Sequence, residues 1–108
     1  MKIVINKCYG GFSISREAAE FMAKRGNKQA KVELMENKKE WYGYGYSSNG
    51  YMGYNRTDPD LVAAVEQLGV KANGRAAELR VVSVPDDIKW EITDYDGIEQ
   101  VEELHRKW

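Results

Sequence analysis

Two residue types that can form a nucleophilic pair each occur once in this chain of 108 residues, as Cys8 and His105. A thiolate activated by an imidazole is the arrangement of cysteine-dependent hydrolases, and Asp94 or Asp96 could orient the ring. The distance along the sequence does not test this idea, because such groups converge only in the folded chain. A cysteine desolvated within an apolar strand is unreactive, so we favour a structural role for Cys8.

The run Cys8-Tyr9-Gly10-Gly11-Phe12 leads from a predicted strand through a glycine turn to a predicted helix. The backbone N–H groups of such a turn can surround a phosphate. Neither the Lys-Ser pair of a P-loop nor the GxGxxG pattern follows, so a tight turn is the simpler explanation. With Asp94, Asp96 and His105, these residues define the alternative site of a small enzyme or a nucleotide-sequestering protein.

Metal binding has little support in the sequence. One cysteine and one histidine cannot supply the ligands of the usual zinc site. The run Asp94-Tyr95-Asp96-Gly97 resembles the start of a calcium loop, but the later ligands are not at the required spacing. We expect these carboxylates to serve turns and helix caps, and we predict neither a metal nor a cofactor.

The most unusual segment is WYGYGYSSNGYMGYNR, residues 41–56, which holds five of the seven tyrosines and no acidic residue. Tyr42, Tyr44 and Tyr46 alternate, so an extended chain would place their rings on one face. Asn49-Gly50 is typical of a tight hairpin turn. The glycines weaken a strand, so the segment predicts either a β-hairpin or a mobile flap.

Such a segment can bind in two ways. Tyrosines beside Lys38, Lys39 and Arg56 could stack on the bases of single-stranded nucleic acid or on a nucleotide. Tyrosine, serine, glycine and asparagine also compose adaptable protein-binding loops, and we favour a protein partner. The alternative to a binding role is that the segment folds back as a lid over the protein's own sheet. The predicted binding residues are Tyr42, Tyr44, Tyr46, Tyr51, Tyr54 and Arg56.

Several secondary-structure elements surround these candidates in the first half of the chain. Residues 2–9 are apolar and β-branched and predict a central strand. Ser13 or Ser15 can cap a helix that ends at Gly26. Residues 29–36 alternate in polarity and predict a half-buried strand.

In the second half, Asp58 and Pro59 predict the start of a helix that ends at Gly69. Residues 77–84 and 88–93 predict two further strands. For residues 96–108 two structures compete. Apolar residues at helical spacing favour a helix, whereas Asp96-Gly97 as a hairpin turn would place Ile92 opposite Val101. We expect the helix.

The composition indicates one ordinary globular domain spanning residues 1–108. Hydrophobic residues make up 43% and charged residues 31%, and the net charge is −1. Residues 1–40 carry nine Lys/Arg against five Asp/Glu, and residues 85–108 carry three against eight. We expect the two ends to attract each other in the fold, and the alternative is a basic face for a polyanion and an acidic face for a protein partner. The predicted fold is α+β, a mainly antiparallel sheet of three to five strands with two or three helices on one face.

A single cysteine fits a reducing compartment. The first residues lack the long apolar region of a signal peptide, and no run approaches the length of a membrane span. We therefore expect a cytoplasmic protein that does not contact a membrane.

Four stretches, KIVINKCYGGF, RTDPDLV, VPDDIKWEITDYDG and HRKW, occur together in this chain. The combination resembles a family of small uncharacterised proteins encoded by bacteriophages and prophage-bearing bacteria. The resemblance implies phage origin and expression in a bacterial cytoplasm, and it carries no activity. On this basis the favoured function is non-catalytic binding of a host protein or ligand through the tyrosine-rich surface.

Overall fold

The computed structural model describes residues 1–9, 11–36, 55–75 and 77–103. These residues form three α-helices and four antiparallel strands, which confirms the α+β class. The strands form two separate two-stranded sheets in the described ranges rather than one continuous sheet. In chain order the elements are β1 (Lys2–Asn6), α1 (Arg16–Lys24), α2 (Lys28–Glu36), α3 (Pro59–Leu68), β2 (Leu79–Ser83), β3 (Trp90–Tyr95) and β4 (Ile98–Glu103).

The first sheet joins β1 to β2, with Val4 opposite Val81 at its centre. Ile3, Val4 and Ile5 are at most 1% exposed, so both faces of β1 are buried as its sequence predicts. Its predicted central position is not observed, because among the described residues β1 pairs only with β2. At the other edge of β1, the Val4 N–H donates to the Arg56 carbonyl at 2.9 Å.

The predicted caps of α1 and α3 are confirmed. The Ser15 hydroxyl accepts from the Ala18 N–H at 3.1 Å, and Gly26 follows α1 with a φ of +94°. Asp58 accepts from the Asp60 N–H at 2.8 Å, and Pro59 is the first helical residue of α3. Both helices therefore begin where a side-chain oxygen replaces the missing intrahelical acceptor.

The predicted strand at residues 29–36 is wrong, because this segment forms α2. The alternation that suggested a strand places Ala30 and Leu34 four residues apart, which is also one helical face. Most of its side chains are good helix formers. Asn27 begins the helix by accepting the Ala30 N–H at 2.9 Å, and Ala30 is fully buried against the rest of the core.

The helix expected at the C-terminal end is wrong for residues 98–103, which form β4. Asp96 and Gly97 have φ angles of +51° and +94°, the signature of a tight hairpin turn. Ile92 lies opposite Val101, as the hairpin alternative required. Residues 104–108 lie outside the described part of the chain.

The core lies between the first sheet and the helices. α3 contacts both β1 and β2, and α1 packs against α2 and α3. The buried apolar side chains come from these elements and their connections, among them Val4, Phe12, Ile14, Ala18, Ala19, Met22, Leu61, Val65 and Leu79. Burying each large aliphatic side chain contributes about 1.5–3 kcal/mol. No helix in the described ranges combines the length and apolarity needed to cross a membrane.

Candidate functional site

A buried asparagine at the end of β1 connects three segments of the chain. The Asn6 side-chain NH₂ donates to the Cys8 carbonyl at 2.7 Å and to the Gly97 carbonyl at 2.6 Å. Its Oδ1 accepts from the Glu78 N–H at 2.8 Å. Asn6 is 0% exposed, and both donors of its amide are used. One side chain thus fixes the end of β1 against β2 and against the β3–β4 turn.

A bidentate ion pair lies beside Asn6. Arg56 donates to both carboxylate oxygens of Glu99, at 2.6 and 2.9 Å. Glu99 Oε1 also accepts the Asn6 backbone N–H at 2.7 Å. The Arg56 guanidinium lies 3.7 Å from the centre of the Phe12 ring, a cation–π contact. We call Asn6, Arg56, Gly97 and Glu99 the junction.

The junction is screened from solvent. The side chains of Arg56 and Glu99 are 19% and 6% exposed. A buried ion pair adds little net stability over an apolar pair, but removing one partner leaves a charge without compensation. The directional contacts of the junction therefore fix the position of the β3–β4 hairpin relative to β1.

Two exposed tyrosines flank the junction. Tyr9 is 64% exposed and Tyr95 is 73% exposed. Tyr9 follows Cys8 and Tyr95 precedes the turn at Gly97, and the same Asn6 amide binds the carbonyls of Cys8 and Gly97. The two tyrosines therefore belong to segments whose backbones meet at the Asn6 amide. Within the hairpin, Tyr95 lies on the face opposite to that of Glu99, because side chains alternate along a strand.

Arg56 is the last residue of the tyrosine-rich segment and the only predicted binding residue that lies in the described ranges. Its guanidinium is directed towards Glu99 and Phe12, and its carbonyl accepts from Val4. It positions the end of the segment and is half-buried. The other predicted binding residues, Tyr42, Tyr44, Tyr46, Tyr51 and Tyr54, lie outside the described residues.

The alternative site is partly assembled by the same contacts. Cys8 carries a half-buried free thiol, and Asn6 brings its backbone next to the turn that contains Asp94 and Asp96. Both aspartates are exposed, and Asp94 Oδ1 accepts from the Gly97 N–H at 2.8 Å, as expected of a turn residue. Gly10 and His105 lie outside the described ranges.

Gly11 adopts a φ of +109°, and a Cβ at this position would meet no atom within 4 Å. The glycine is therefore needed for backbone conformation and not for close packing. Residues 12–15 separate it from the first residue of α1, and the Ser15 hydroxyl already accepts an N–H of that helix. The positive φ at Gly11 and the start of α1 are thus separate features of the backbone.

Sequence reasoning did not single out Asn6, and it did not indicate that Phe12 and Glu99 contact Arg56. A single polar residue closing a run of Ile and Val was a usable signal for Asn6, since buried polar groups need defined partners. Nothing local distinguishes Glu99 from the other carboxylates of its strand. Its role depends on Arg56, 43 residues earlier in the chain.

The hairpin also carries a groove. Thr93, Asp94, Tyr95, Ile98 and Gln100 line a cavity of about 400 Å³. Within the described ranges, no group of three or more His, Cys, Asp or Glu side chains is arranged to hold a metal ion.

Comparisons with protein-family models, with curated proteins and with solved structures give no match.

Proposed function

We propose that the protein is a small, non-catalytic, phage-type binding protein of the bacterial cytoplasm that engages a host protein through an aromatic surface. This surface consists of the tyrosine-rich segment, residues 41–56, together with Tyr9 and Tyr95. The phage setting and the cytoplasmic location rest on the sequence resemblance, and the binding role rests on the site.

The position of Arg56 is the observation that carries the proposal. Arg56 ends the tyrosine-rich segment and is held by Glu99, Phe12 and Val4. The segment therefore rejoins the body of the protein at the junction. Tyr9 and Tyr95 are exposed, one and two residues along the chain from the Cys8 and Gly97 carbonyls that Asn6 binds. Exposed tyrosines on an ordered support are effective anchors, because they bury much area at low entropic cost.

Charge favours a protein over a nucleic acid. Residues 86–103 carry eight carboxylates and one lysine, and the hairpin that contains most of them docks at the junction. A polyanionic ligand of the aromatic surface would approach this negative charge. Nucleic-acid binding depends on cations that neutralise phosphates, so a protein partner suits the surroundings better.

The test is affinity capture from a bacterial lysate, followed by measurement of Kd with the purified captured protein. We expect Tyr9→Ala combined with Tyr95→Ala to weaken binding at least about tenfold, since interface tyrosines commonly contribute more than 1 kcal/mol each. The free energy of unfolding should change by less than about 1 kcal/mol, because both side chains are exposed. Deletion of residues 42–54 should abolish capture.

Met35→Ala is the matched control, because Met35 is a similarly exposed apolar residue, 70% accessible, on α2. It should bind like the wild type. Identical capture by wild type, the double variant and the deletion would contradict the proposal. If the protein instead captures nucleic acid, and the affinity falls steeply as the salt concentration rises, the partner is a polyanion and not a protein.

A further inference from the structure

One face of the β3–β4 hairpin combines an apolar groove with carboxylates that form no ion pair within the described part of the chain. The pairing places Glu91 opposite Glu102, Thr93 opposite Gln100 and Tyr95 opposite Ile98. Because side chains alternate along a strand, these six residues share one face. The Thr93 hydroxyl contacts Glu102 Oε1 at 3.4 Å, as expected for neighbours on that face. The groove of about 400 Å³ is formed on it.

Most carboxylates between residues 86 and 103 form no ion pair with another residue that the structure describes. Asp86 pairs with the N-terminal amine and Glu99 with Arg56. Six more between residues 86 and 103 are exposed and form no ion pair with another described residue: Asp87, Glu91, Asp94, Asp96, Glu102 and Glu103. The hairpin therefore presents concentrated negative charge.

The placement of Glu91 and Glu102 is unfavourable for the isolated hairpin. Like charges directly opposite each other weaken a strand pair, and a two-stranded sheet alone is only marginally stable. A bound cationic group would remove this repulsion. The charge arrangement is thus complementary to a basic ligand.

The floor of the groove fits the stem of a long cationic side chain. Ile98 is half-buried and offers aliphatic surface, and the Tyr95 ring is 73% exposed. Arginine and lysine lay their methylene stems along apolar surface while the charged group reaches acceptors. An arginine guanidinium can also stack on a tyrosine ring. The groove thus offers aliphatic and aromatic surface with the Asp94 carboxylate in its lining, and Glu102 lies next to it, 3.4 Å from the Thr93 hydroxyl.

We propose that the hairpin face binds an arginine side chain in a basic segment of the protein partner. This inference deepens the proposed binding function and rests on it, since it specifies the chemistry of the partner at one part of the surface. The basic segment lies across the face, its arginine enters the groove over Ile98 and Tyr95, and neighbouring cations pair with Glu91 and Glu102.

Synthetic peptides test this face independently of the natural partner. The probes are acetyl-(Gly-Arg)₄-amide, the equivalent Gly-Lys peptide and the equivalent Gly-Glu peptide, titrated into the full ¹⁵N-labelled chain at low salt. We expect saturable amide shifts centred on Thr93, Tyr95, Ile98 and Gln100, tightest binding for the arginine peptide and none for the acidic peptide.

The decisive variant is Glu91→Gln combined with Glu102→Gln, which should weaken the arginine peptide at least fivefold. Its stability should not fall, because it removes a repulsive pair, so lost binding would not reflect unfolding. Glu17→Gln on α1 is the matched control, since Glu17 is an exposed carboxylate on another element, and should bind like the wild type.

Three results would overturn the inference: no arginine-peptide binding up to millimolar concentration, shifts spread away from the hairpin, or equal binding by the Gln double variant. Sedimentation of the protein alone supplies a further test. Concentration-dependent dimerisation that the Gln double variant abolishes would show that a second copy of this chain occupies the face. If the peptides fail while tyrosine-dependent capture persists, the groove proposal falls and the binding function stands.

Discussion

The body of the protein and its hairpin are held in different ways. In the body, formed by β1, β2 and the three helices, fully buried aliphatic side chains fill the interior. In β3–β4, Glu99 is the one fully buried residue, and it is a carboxylate. The body is stabilised by burial of apolar area, whereas directional polar contacts fix where the hairpin docks. Stability and placement are therefore supplied by different residues.

The largest effect is expected from a cavity in the body. Leu61→Ala removes a 0% exposed side chain on α3 and should lower the free energy of unfolding by about 4 kcal/mol. Chemical denaturation should show the body unfolding in one transition at a lower denaturant concentration than in the wild type. Val70→Ala, at a residue 83% exposed, is the control and should change stability by less than about 0.5 kcal/mol. A similar cost at both positions would contradict the assignment of the core.

Removing an ion-pair partner from the junction should destabilise the hairpin more than the body. Glu99→Ala leaves the Arg56 charge and the Asn6 N–H without their acceptor, at a cost of about 3 kcal/mol. Hydrogen exchange should accelerate mainly in β3 and β4, because the core of the body is untouched. Glu102→Ala, an exposed carboxylate on the same strand, is the control. Uniform acceleration across body and hairpin would show that the two regions form one cooperative unit.

The hairpin turn should tolerate one substitution and resist another. Gly97→Ala places a side chain at a φ of +94° and should cost about 1–2 kcal/mol. Asp96→Asn at the preceding position should be nearly neutral, because asparagine accepts positive φ readily. Thermal unfolding of the two variants measures the difference. Equal stabilities would mean that the turn does not determine the hairpin.

The smallest effect concerns the contact between the N-terminal amine and Asp86, which precedes β3. Hydrogen bonding and charge attraction from the amine hold the pKa of Asp86 below its usual value of 3.8. Because the folded pKa is depressed, this contribution is present above the unfolded pKa and is lost as the pH falls through the folded pKa. Asp86→Asn should therefore be slightly less stable than wild type at neutral pH, and the difference should vanish in strong acid.

Urea denaturation of wild type and Asp86→Asn at several pH values measures this difference directly. Asp87→Asn is the matched control, because Asp87 is the exposed neighbour without an ion pair to another described residue. If the stability difference between wild type and Asp86→Asn grew as the pH fell, the pKa of Asp86 would not be depressed in the folded protein.

The predictions that succeeded depended on local chemistry. Ser15, Gly26 and the Asp58-Pro59 pair each act within one helical turn, so their neighbours in sequence suffice to explain them. The two errors of secondary structure arose where local patterns were ambiguous. Alternation at Ala30 and Leu34 suits a strand or a helix, and the spacing of Ile98 and Val101 did not reveal that β4 pairs with β3.

For the candidate site, the sequence suggested Arg56 as a binding residue and Tyr9 as part of the alternative site, but it did not indicate the contacts that surround them. It did not indicate that Arg56 binds Glu99 or that Asn6 joins Cys8 to Gly97. These contacts join residues far apart in the chain. Nothing in the sequence distinguishes the glutamate of β4 that becomes buried from those that stay exposed.

The amino-acid sequence by itself determined the class of the fold, the starts of two helices and the supply of aromatic and acidic residues, because propensity, capping and composition act over a few neighbouring positions. Tertiary structure alone decided that β4 pairs with β3, that Glu99 is buried and that Tyr9 and Tyr95 stay exposed. Burial and ion pairing depend on which distant segments meet, and that is settled only when the whole chain packs.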